Sequence, residues 1–252
     1  MDAVVLAAGY ATRLYPLTLN TPKALLPIGG KPILDYIVDK IYETGEIEKI
    51  AIISNDKFYG QFAGWLRAYV SGAPGGGGAR GGLSVVNDGT ASEQTRRGAI
   101  GDIAFAIDAL SLDDDLMVIA GDNFFTFSLR DLIGFYRRAG ADTIIIKKVA
   151  DCEALKSLGV ATVGADFTVT GFEEKPREPK SDLAVYAAYI YRRDTLPLFR
   201  EYLDGGNTKD APGNFPAWLY KRKRVAAYAF DGECYDIGTP EAYEAICEKY
   251  GK

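Results

Sequence analysis

Val4-Val5-Leu6-Ala7-Ala8-Gly9-Tyr10-Ala11-Thr12-Arg13-Leu14, then Pro16-Leu17-Thr18, then Thr21-Pro22-Lys23-Ala24-Leu25-Leu26-Pro27, stands near the start of the chain and decides how the rest is read. The apolar run Val4–Leu6 reads as a buried parallel strand. It empties into a loop of small residues that carries one arginine and, ten residues later, one lysine. Small residues let backbone N–H groups approach an anion closely, and Arg and Lys then supply charge. The pattern predicts a polyphosphate cradle. It is not a dinucleotide fingerprint, because Ala11 stands where a second glycine would sit and no third glycine follows in place. Nor is it a P-loop.

Outward from that loop, β-α pairs repeat. The spacing of Ile33, Ile37 and Ile41 predicts a helix over 32–44, closed by Gly45. Strands are expected at 49–53, 83–86, 116–120 and 143–147, and helices at 58–69, 98–110 and 129–139. Short loops between such pairs imply a mostly parallel sheet with helices on both faces, an α/β, Rossmann-like class. After Ala150 the texture changes. Runs at 160–163, 169–172 and 185–191 read as a smaller antiparallel β element. Asn214 is expected to cap a short helix over 215–222, a strand follows at 225–230, and Thr239-Pro240 opens a last helix over 240–250. The Gly-rich stretch 71–82 reads as a surface insertion, since no Gly-Lys-Ser/Thr follows it.

The bulk properties narrow the chemistry. The 252 residues are 48% hydrophobic and carry a formal charge of -5. That balance argues against nucleic acid as a partner. The basic run Lys221–Arg224 reads as a solvated helix end. Histidine is absent, which excludes Ser-His-Asp triads and His-rich metal sites. A reaction whose nucleophile is already an anion, such as a phosphate ester, needs no imidazole. Three scattered cysteines predict a reducing compartment without disulfides. No window approaches the ~18 apolar residues of a membrane span, and no basic-then-apolar leader is visible. A cytoplasmic protein with no membrane partner is expected.

The segment Leu6–Pro27 resembles the signature of the sugar-phosphate nucleotidyltransferase family, in its glucose-1-phosphate thymidylyltransferase-like short form. Gly121-Asp122-Asn123, Glu173-Glu174-Lys175-Pro176 and Tyr235-Asp236-Ile237-Gly238-Thr239-Pro240 follow in the family's order, so the resemblance covers essentially the whole chain. It implies a single nucleotidyltransferase domain over 1–252, with a nucleotide-binding part (1–150) and an acceptor-binding part (151–252). By resemblance, Leu6, Ala7, Ala8, Gly9, Tyr10, Ala11, Thr12, Arg13 and Lys23 bind the nucleotide, and Arg13, Lys23 and Asp122 are catalytic. Asp122 and Asp236 would hold Mg²⁺, which favours few carboxylates plus phosphate oxygens and water. The bland readings are a capping turn at Asp122 and an Asx-turn at Asp236. Gly159, Glu174 and Lys175 would bind the acceptor, against the plainer reading of a charged strand end. Ala11 departs from the family's glycine, so its Cβ either narrows the phosphate space or demands another loop path.

The base-recognition region matches least. Asn87 and Gly98 are the expected base or ribose contacts, and Asp88–Arg97 is longer than in thymidylyl and uridylyl enzymes. Arg96 and Arg97 either meet phosphates or are solvated. The expected activity is Mg²⁺-dependent transfer of a nucleotidyl group from an NTP to a sugar 1-phosphate, releasing pyrophosphate. Two alternatives stay open. One is a cytidylyltransferase for an alcohol phosphate or phosphonate, with Tyr186 and Tyr189 either holding a quaternary ammonium or packing in the core. The other is a non-catalytic nucleotide-sugar-binding subunit. Expected partners are the NTP and a phosphorylated small molecule, with a homo-oligomer left open. No C-terminal β-helix, and so no acyltransferase activity, is expected.

Overall fold

The computed structural model describes residues 1–72 and 82–251. In chain order it forms β1 (Asp2–Leu6), β2 (Pro27–Ile28), β3 (Lys31–Pro32), α1 (Ile33–Thr44), β4 (Lys49–Ser54), α2 (Asp56–Ser71), β5 (Leu83–Asn87) and α3 (Ala99–Leu110). Next come β6 (Leu116–Ala120), β7 (Asn123–Phe125), α4 (Leu129–Ala139), β8 (Asp142–Lys148), α5 (Cys152–Leu155), β9 (Gly159–Val163), β10 (Val169–Glu174) and β11 (Leu183–Tyr191). The chain continues through α6 (Leu196–Asp204), α7 (Asn214–Leu219), β12 (Val225–Ala229), β13 (Cys234–Asp236) and α8 (Pro240–Tyr250). Most of the Gly-rich stretch expected to be a surface insertion, residues 73–81, lies outside the described residues.

These elements build two compact units, each from separated stretches of chain. The first unit comprises Met1–Arg97, Ile119–Thr126 and Glu233–Lys252; the second comprises Gly98–Val118 and Phe127–Gly232. Together their elements give the mixed-sheet α/β, Rossmann-like class expected from the sequence, with small antiparallel sheets added.

In the first unit β1, β4 and β5 run parallel, with Val4 opposite Ala51 and Ile52 opposite Val85. Val4, Val5, Ile50, Ile52 and Ile53 are all buried, as continuous apolar runs covered on both faces require. Helix α1 buries Ile33, Leu34, Ile37, Val38 and Ile41, and Gly45 ends it in the left-handed conformation (φ 69°). Helix α2 is capped by Asn55, whose side-chain oxygen accepts the Phe58 N–H (3.0 Å). The same side chain donates its Nδ2–H to the Ala8 carbonyl (2.9 Å), tying the start of α2 to the loop after β1. A two-stranded sheet pairs β13 with β7, placing Asp236 opposite Asn123.

In the second unit β8 pairs in parallel with β12 and antiparallel with β11, and β11 and β10 both pair antiparallel with β9. The antiparallel texture expected after Ala150 is therefore present in β9–β11, whereas β12 is parallel to its neighbour. Tyr191, Phe199 and Phe215 form an aromatic core, with the Phe199 and Phe215 rings stacked at 3.8 Å. Buried Asp142 accepts the Arg192 N–H (2.8 Å) and the Thr195 hydroxyl (2.7 Å), with Lys223 Nζ at 3.2 Å. Burial pushes its carboxyl up, and these partners pull it back.

Two expectations are corrected, and one helix is new. Asn214 does not cap a helix over 215–222: it lies inside α7, which ends at Leu219, and Gly213 holds the cap position. A Cβ at 213 would stand 2.0 Å from Glu174 Oε2, so a larger residue there would push the Glu174 carboxylate aside. The basic run is more than a solvated helix end. The Arg222 guanidinium lies over the Trp218 ring (3.9 Å), Lys223 serves Asp142 and Asp194, and Arg224 Nε donates to Thr168 Oγ1 (3.0 Å). Helix α6, with Pro197 in its first turn and Leu196, Phe199 and Tyr202 buried, has no counterpart among the expected elements.

Asn55 joins two functions in one side chain. Asn55→Ala is expected to cost about 2 kcal/mol, about one from the lost cap and about one from the orphaned Ala8 carbonyl. Urea denaturation with an unchanged slope checks this; a loss below about 0.5 kcal/mol would contradict it.

Candidate active site

The loop after β1 is held from three sides within the first unit. Ala7 N–H donates to the Ile53 carbonyl (2.9 Å), the Ala8 carbonyl accepts Asn55, and the buried Tyr10 ring sends its hydroxyl to the Thr90 carbonyl (3.1 Å). Beside Gly9, a Cβ would meet no protein atom within 4 Å. Ala11 follows with φ 48° and ψ 42° and starts the 3₁₀ turn Thr12–Leu14, which carries Arg13. A left-handed non-glycine residue costs on the order of 1 kcal/mol and persists where its surroundings hold it. Ala11 thus adopts a backbone conformation that glycine enters more readily. The Thr18 hydroxyl donates to its carbonyl (2.7 Å).

Lys23 opens a second 3₁₀ turn, Lys23–Leu25, preceded by extended Pro22. Its ammonium reaches Asp122 Oδ2 at 2.6 Å and Asp236 Oδ1 at 3.5 Å, with the lysine side chain only 11% exposed. Asp122 owes its place to Gly121, whose N–H donates to the Leu6 carbonyl (2.8 Å). A Cβ on Gly121 would stand 2.9 Å from that same oxygen, so the backbone approach needs glycine. Asp236 arrives by the β13–β7 register, and the Ile237 N–H donates to the Asp122 carbonyl (3.4 Å). The Arg13 guanidinium lies beside Gly238, 3.9 Å from where a Cβ would project.

Crowding by surrounding protein and the neighbouring Asp122 carboxylate push the Asp236 carboxyl above the usual range; Lys23 and Arg13 pull it back. Its side chain stays 48% exposed. Four groups that the sequence scatters from residue 13 to residue 236 therefore share one site.

The sequence profile described as "Nucleotidyl transferase" matches residues 2–252. The chain belongs to this nucleotidyl transferase family. It is 35% identical over 193 residues to a glucose-1-phosphate thymidylyltransferase of Streptomyces antibioticus, covering 76% of this chain and 49% of that protein. It is 27% identical over 253 residues to a UTP–glucose-1-phosphate uridylyltransferase, AglF, of Haloferax volcanii, covering 96% of this chain and 93% of that one. The chain thus spans about half the length of the thymidylyltransferase it matches. Among solved structures, UDP-glucose pyrophosphorylase complexed with UDP-glucose superposes with a TM-score of 0.81 at 24% identity. It covers 99% of this chain and 97% of its own, a likeness of fold.

The other residues expected at the site lie elsewhere in the two units. Asn87, at the end of β5, donates to Asp56 Oδ1 (2.8 Å) and accepts the Gly89 N–H (2.8 Å). Gly98 belongs to the second unit and needs to be glycine: φ is 79°, and a Cβ would stand 2.6 Å from the Lys209 carbonyl oxygen. Arg96 lies 3.6 Å from Glu93, and Arg97 Nε donates to the Asp88 carbonyl (2.8 Å). Tyr189 is buried at 2% exposure, and Tyr186 sets its ring edge-on to Phe230 (5.8 Å). Tyr189 lies in the core, and half-buried Tyr186 packs against it.

Gly159, Glu174 and Lys175 gather in the second unit, where the β9–β10 register sets Glu174 opposite Gly159. The Glu174 carboxylate lies between two glycines, 3.1 Å from a Cβ position on Gly159 and 2.0 Å from one on Gly213. Lys175 is left-handed (φ 48°), and its N–H donates to the Leu158 carbonyl (3.0 Å). Burial pushes the Glu174 carboxyl up, and Lys175 opposes it. A separate cavity of about 250 Å³ beside α3 and α6 is lined by Ile107, Leu196 and Phe199 and by the pairs Arg193–Asp113 and Arg200–Asp108. None of the predicted site residues lines it. Sequence reasoning missed the support given by Asn55, Thr18 and Gly213; the N-cap position of Asn55 was the one legible signal.

A carboxyl whose folded value is raised destabilises the fold as pH climbs from the unfolded value, about 4.3 for Glu, through the raised one. Glu174→Gln removes that loss. The melting temperature of the variant is expected to gain on wild type between pH 4 and pH 7, the gap widening as pH rises. A gap that is constant with pH would contradict the raised value.

Proposed function

We propose that this chain transfers a nucleotidyl group from an NTP to a sugar 1-phosphate, forming an NDP-sugar and pyrophosphate. The observation that carries the reading is Lys23 Nζ lying against both Asp122 and Asp236, with Arg13 beside them. The names of the thymidylyl- and uridylyltransferase relatives support it.

In this reading the open side of Gly9 and the loop around it take the triphosphate. Arg13 and Lys23 grip its phosphates, the arginine through a planar fork and the lysine as a compact charge. An oxygen of the acceptor phosphate attacks the α-phosphorus in line, the α–β bridging bond breaks, and its electron pair leaves with pyrophosphate. No proton need be taken from the nucleophile, which accords with a chain without histidine. Arg13 and Lys23 offset the charge that builds on the leaving group. Gly159, Glu174 and Lys175 take the acceptor: the carboxylate accepts from sugar hydroxyls, and the ammonium meets its phosphate.

Asp122 and Asp236 fit Mg²⁺. Both are hard oxygen donors, and both already converge on one cation, Nζ of Lys23. Among the described residues no group of three or more His, Cys, Asp or Glu forms a metal cage, so phosphate and water would complete the coordination. When bound, the ion supplies charge neutralisation at the reacting phosphates.

A panel of nucleotides and phosphorylated acceptors with a pyrophosphate readout tests the reading. Turnover with a sugar 1-phosphate is expected, and Asp122→Ala should lower kcat at least about 100-fold. A preference for CTP with an alcohol phosphate would favour the cytidylyltransferase alternative, which the length of Asp88–Arg97 motivates. Binding of NDP-sugar without turnover on any acceptor would make the chain a non-catalytic binder. The ammonium of Lys23 sits where both carboxylates point, so it competes with a divalent ion. Lys23→Met is therefore expected to tighten Mn²⁺ binding to the protein alone, measured by calorimetry, while lowering kcat. Unchanged or weaker binding of Mn²⁺ would contradict the competition.

A further inference from the structure

The Ala11 carbonyl accepts two hydrogen bonds. One comes from Leu14 N–H (3.0 Å), inside the 3₁₀ turn that bears Arg13. The other comes from Thr18 Oγ1 (2.7 Å), beyond that turn. Thr18 is fully buried, and Ala11 is left-handed although it carries a Cβ. Residues with a Cβ favour the right-handed region, so something must hold Ala11 where it is. A buried hydroxyl aimed at its carbonyl does so.

We propose that Thr18 is a positioning residue for Arg13. Its hydroxyl clamps Ala11 in the left-handed conformation that begins the turn Thr12–Leu14, and thereby fixes where the Arg13 guanidinium stands beside Gly238 and Asp236. Thr18 takes no part in the chemistry itself. A right-handed Ala11 would swing its carbonyl off both donors and redirect the turn that follows. The proposal rests on reading Arg13 as a phosphate-binding group.

The test is a double-mutant cycle on Thr18→Val and Ala11→Gly, with Thr18→Ser as the conservative variant. The probe is inorganic tripolyphosphate, titrated by calorimetry in the presence of Mg²⁺, with the melting temperature recorded for each protein. Thr18→Val is expected to weaken tripolyphosphate about five- to tenfold, as loss of one hydrogen bond would. Thr18→Ser keeps the hydroxyl and should keep the affinity. In the Ala11→Gly background, adding Thr18→Val should cost less than twofold, because glycine adopts the left-handed conformation unaided.

Equal losses in the two backgrounds would overturn the proposal, as would wild-type affinity in Thr18→Val. If Thr18→Val alone does not fold, comparing Ala11→Gly/Thr18→Val with Ala11→Gly still decides. Near-equal affinity supports the clamp, and a fivefold loss overturns it. Arg13→Ala separates the two levels. Wild-type tripolyphosphate affinity in that variant would refute the phosphate-binding reading of Arg13, whereas coupling of Thr18 to Ala11 in the melting temperatures would stand.

Discussion

Two carboxylates drawn onto one ammonium form the interaction on which the first unit is organised. Asp122 and Asp236 repel each other at close range, and the Lys23 ammonium set against both offsets that repulsion. Each is delivered by backbone geometry rather than by side-chain reach. Gly121 lets its strand end approach β1, and the pairing of β13 with β7 brings Asp236 alongside. The lysine comes from a short turn whose exit strand is braced in turn. The Tyr243 hydroxyl of α8 donates to the Pro27 carbonyl (2.6 Å), and the Tyr36 hydroxyl donates to the Ile28 carbonyl (2.8 Å). The site is thus a property of the whole unit, and its charges sit on positions that packing has already fixed.

A second theme is strain held locally. Ala11 and Lys175 are both left-handed with a Cβ, and both lie among the predicted site residues. Ala11 is restrained by a threonine hydroxyl and Lys175 by its backbone bond to Leu158. Strained backbone of this kind persists where neighbours over-determine it and tends to collect at functional positions. Glu174 shows the complementary device. Space for its carboxylate is made by two residues that lack side chains, Gly159 and Gly213.

Much of this was legible in the chain. Apolar runs such as Val4–Leu6 and Leu116–Ala120 announce strands because burial on both faces leaves no polar alternation to confuse the reading. Helix α4 appears at its expected bounds because Ser128 caps it and Gly140 ends it. Three of the four motifs that carry the family resemblance hold Arg13, Lys23, Asp122 and Asp236, and the first unit brings these side chains together. What escaped was set by tertiary contact. The start of α7 sets Gly213 against the Glu174 carboxylate, about forty residues earlier in the chain. The fate of Lys223 depends on Asp142, a buried acid that periodicity cannot see. Asn87 is occupied at both ends of its amide by Asp56 and Gly89, which no local pattern reveals.

The first unit is sewn from three stretches, with Glu233–Lys252 joining Met1–Arg97 across the length of the second unit. During synthesis, the opening residues therefore emerge from the ribosome long before the segment bearing Asp236 and α8. The second unit has its stretches nearer together and is complete sooner. Until the last stretch arrives, β7 lacks its partner strand and the acidic pair is half made, so nascent chains have to wait with an exposed strand edge. Such a topology places closure of the long loop, rather than formation of any single helix, at the end of folding.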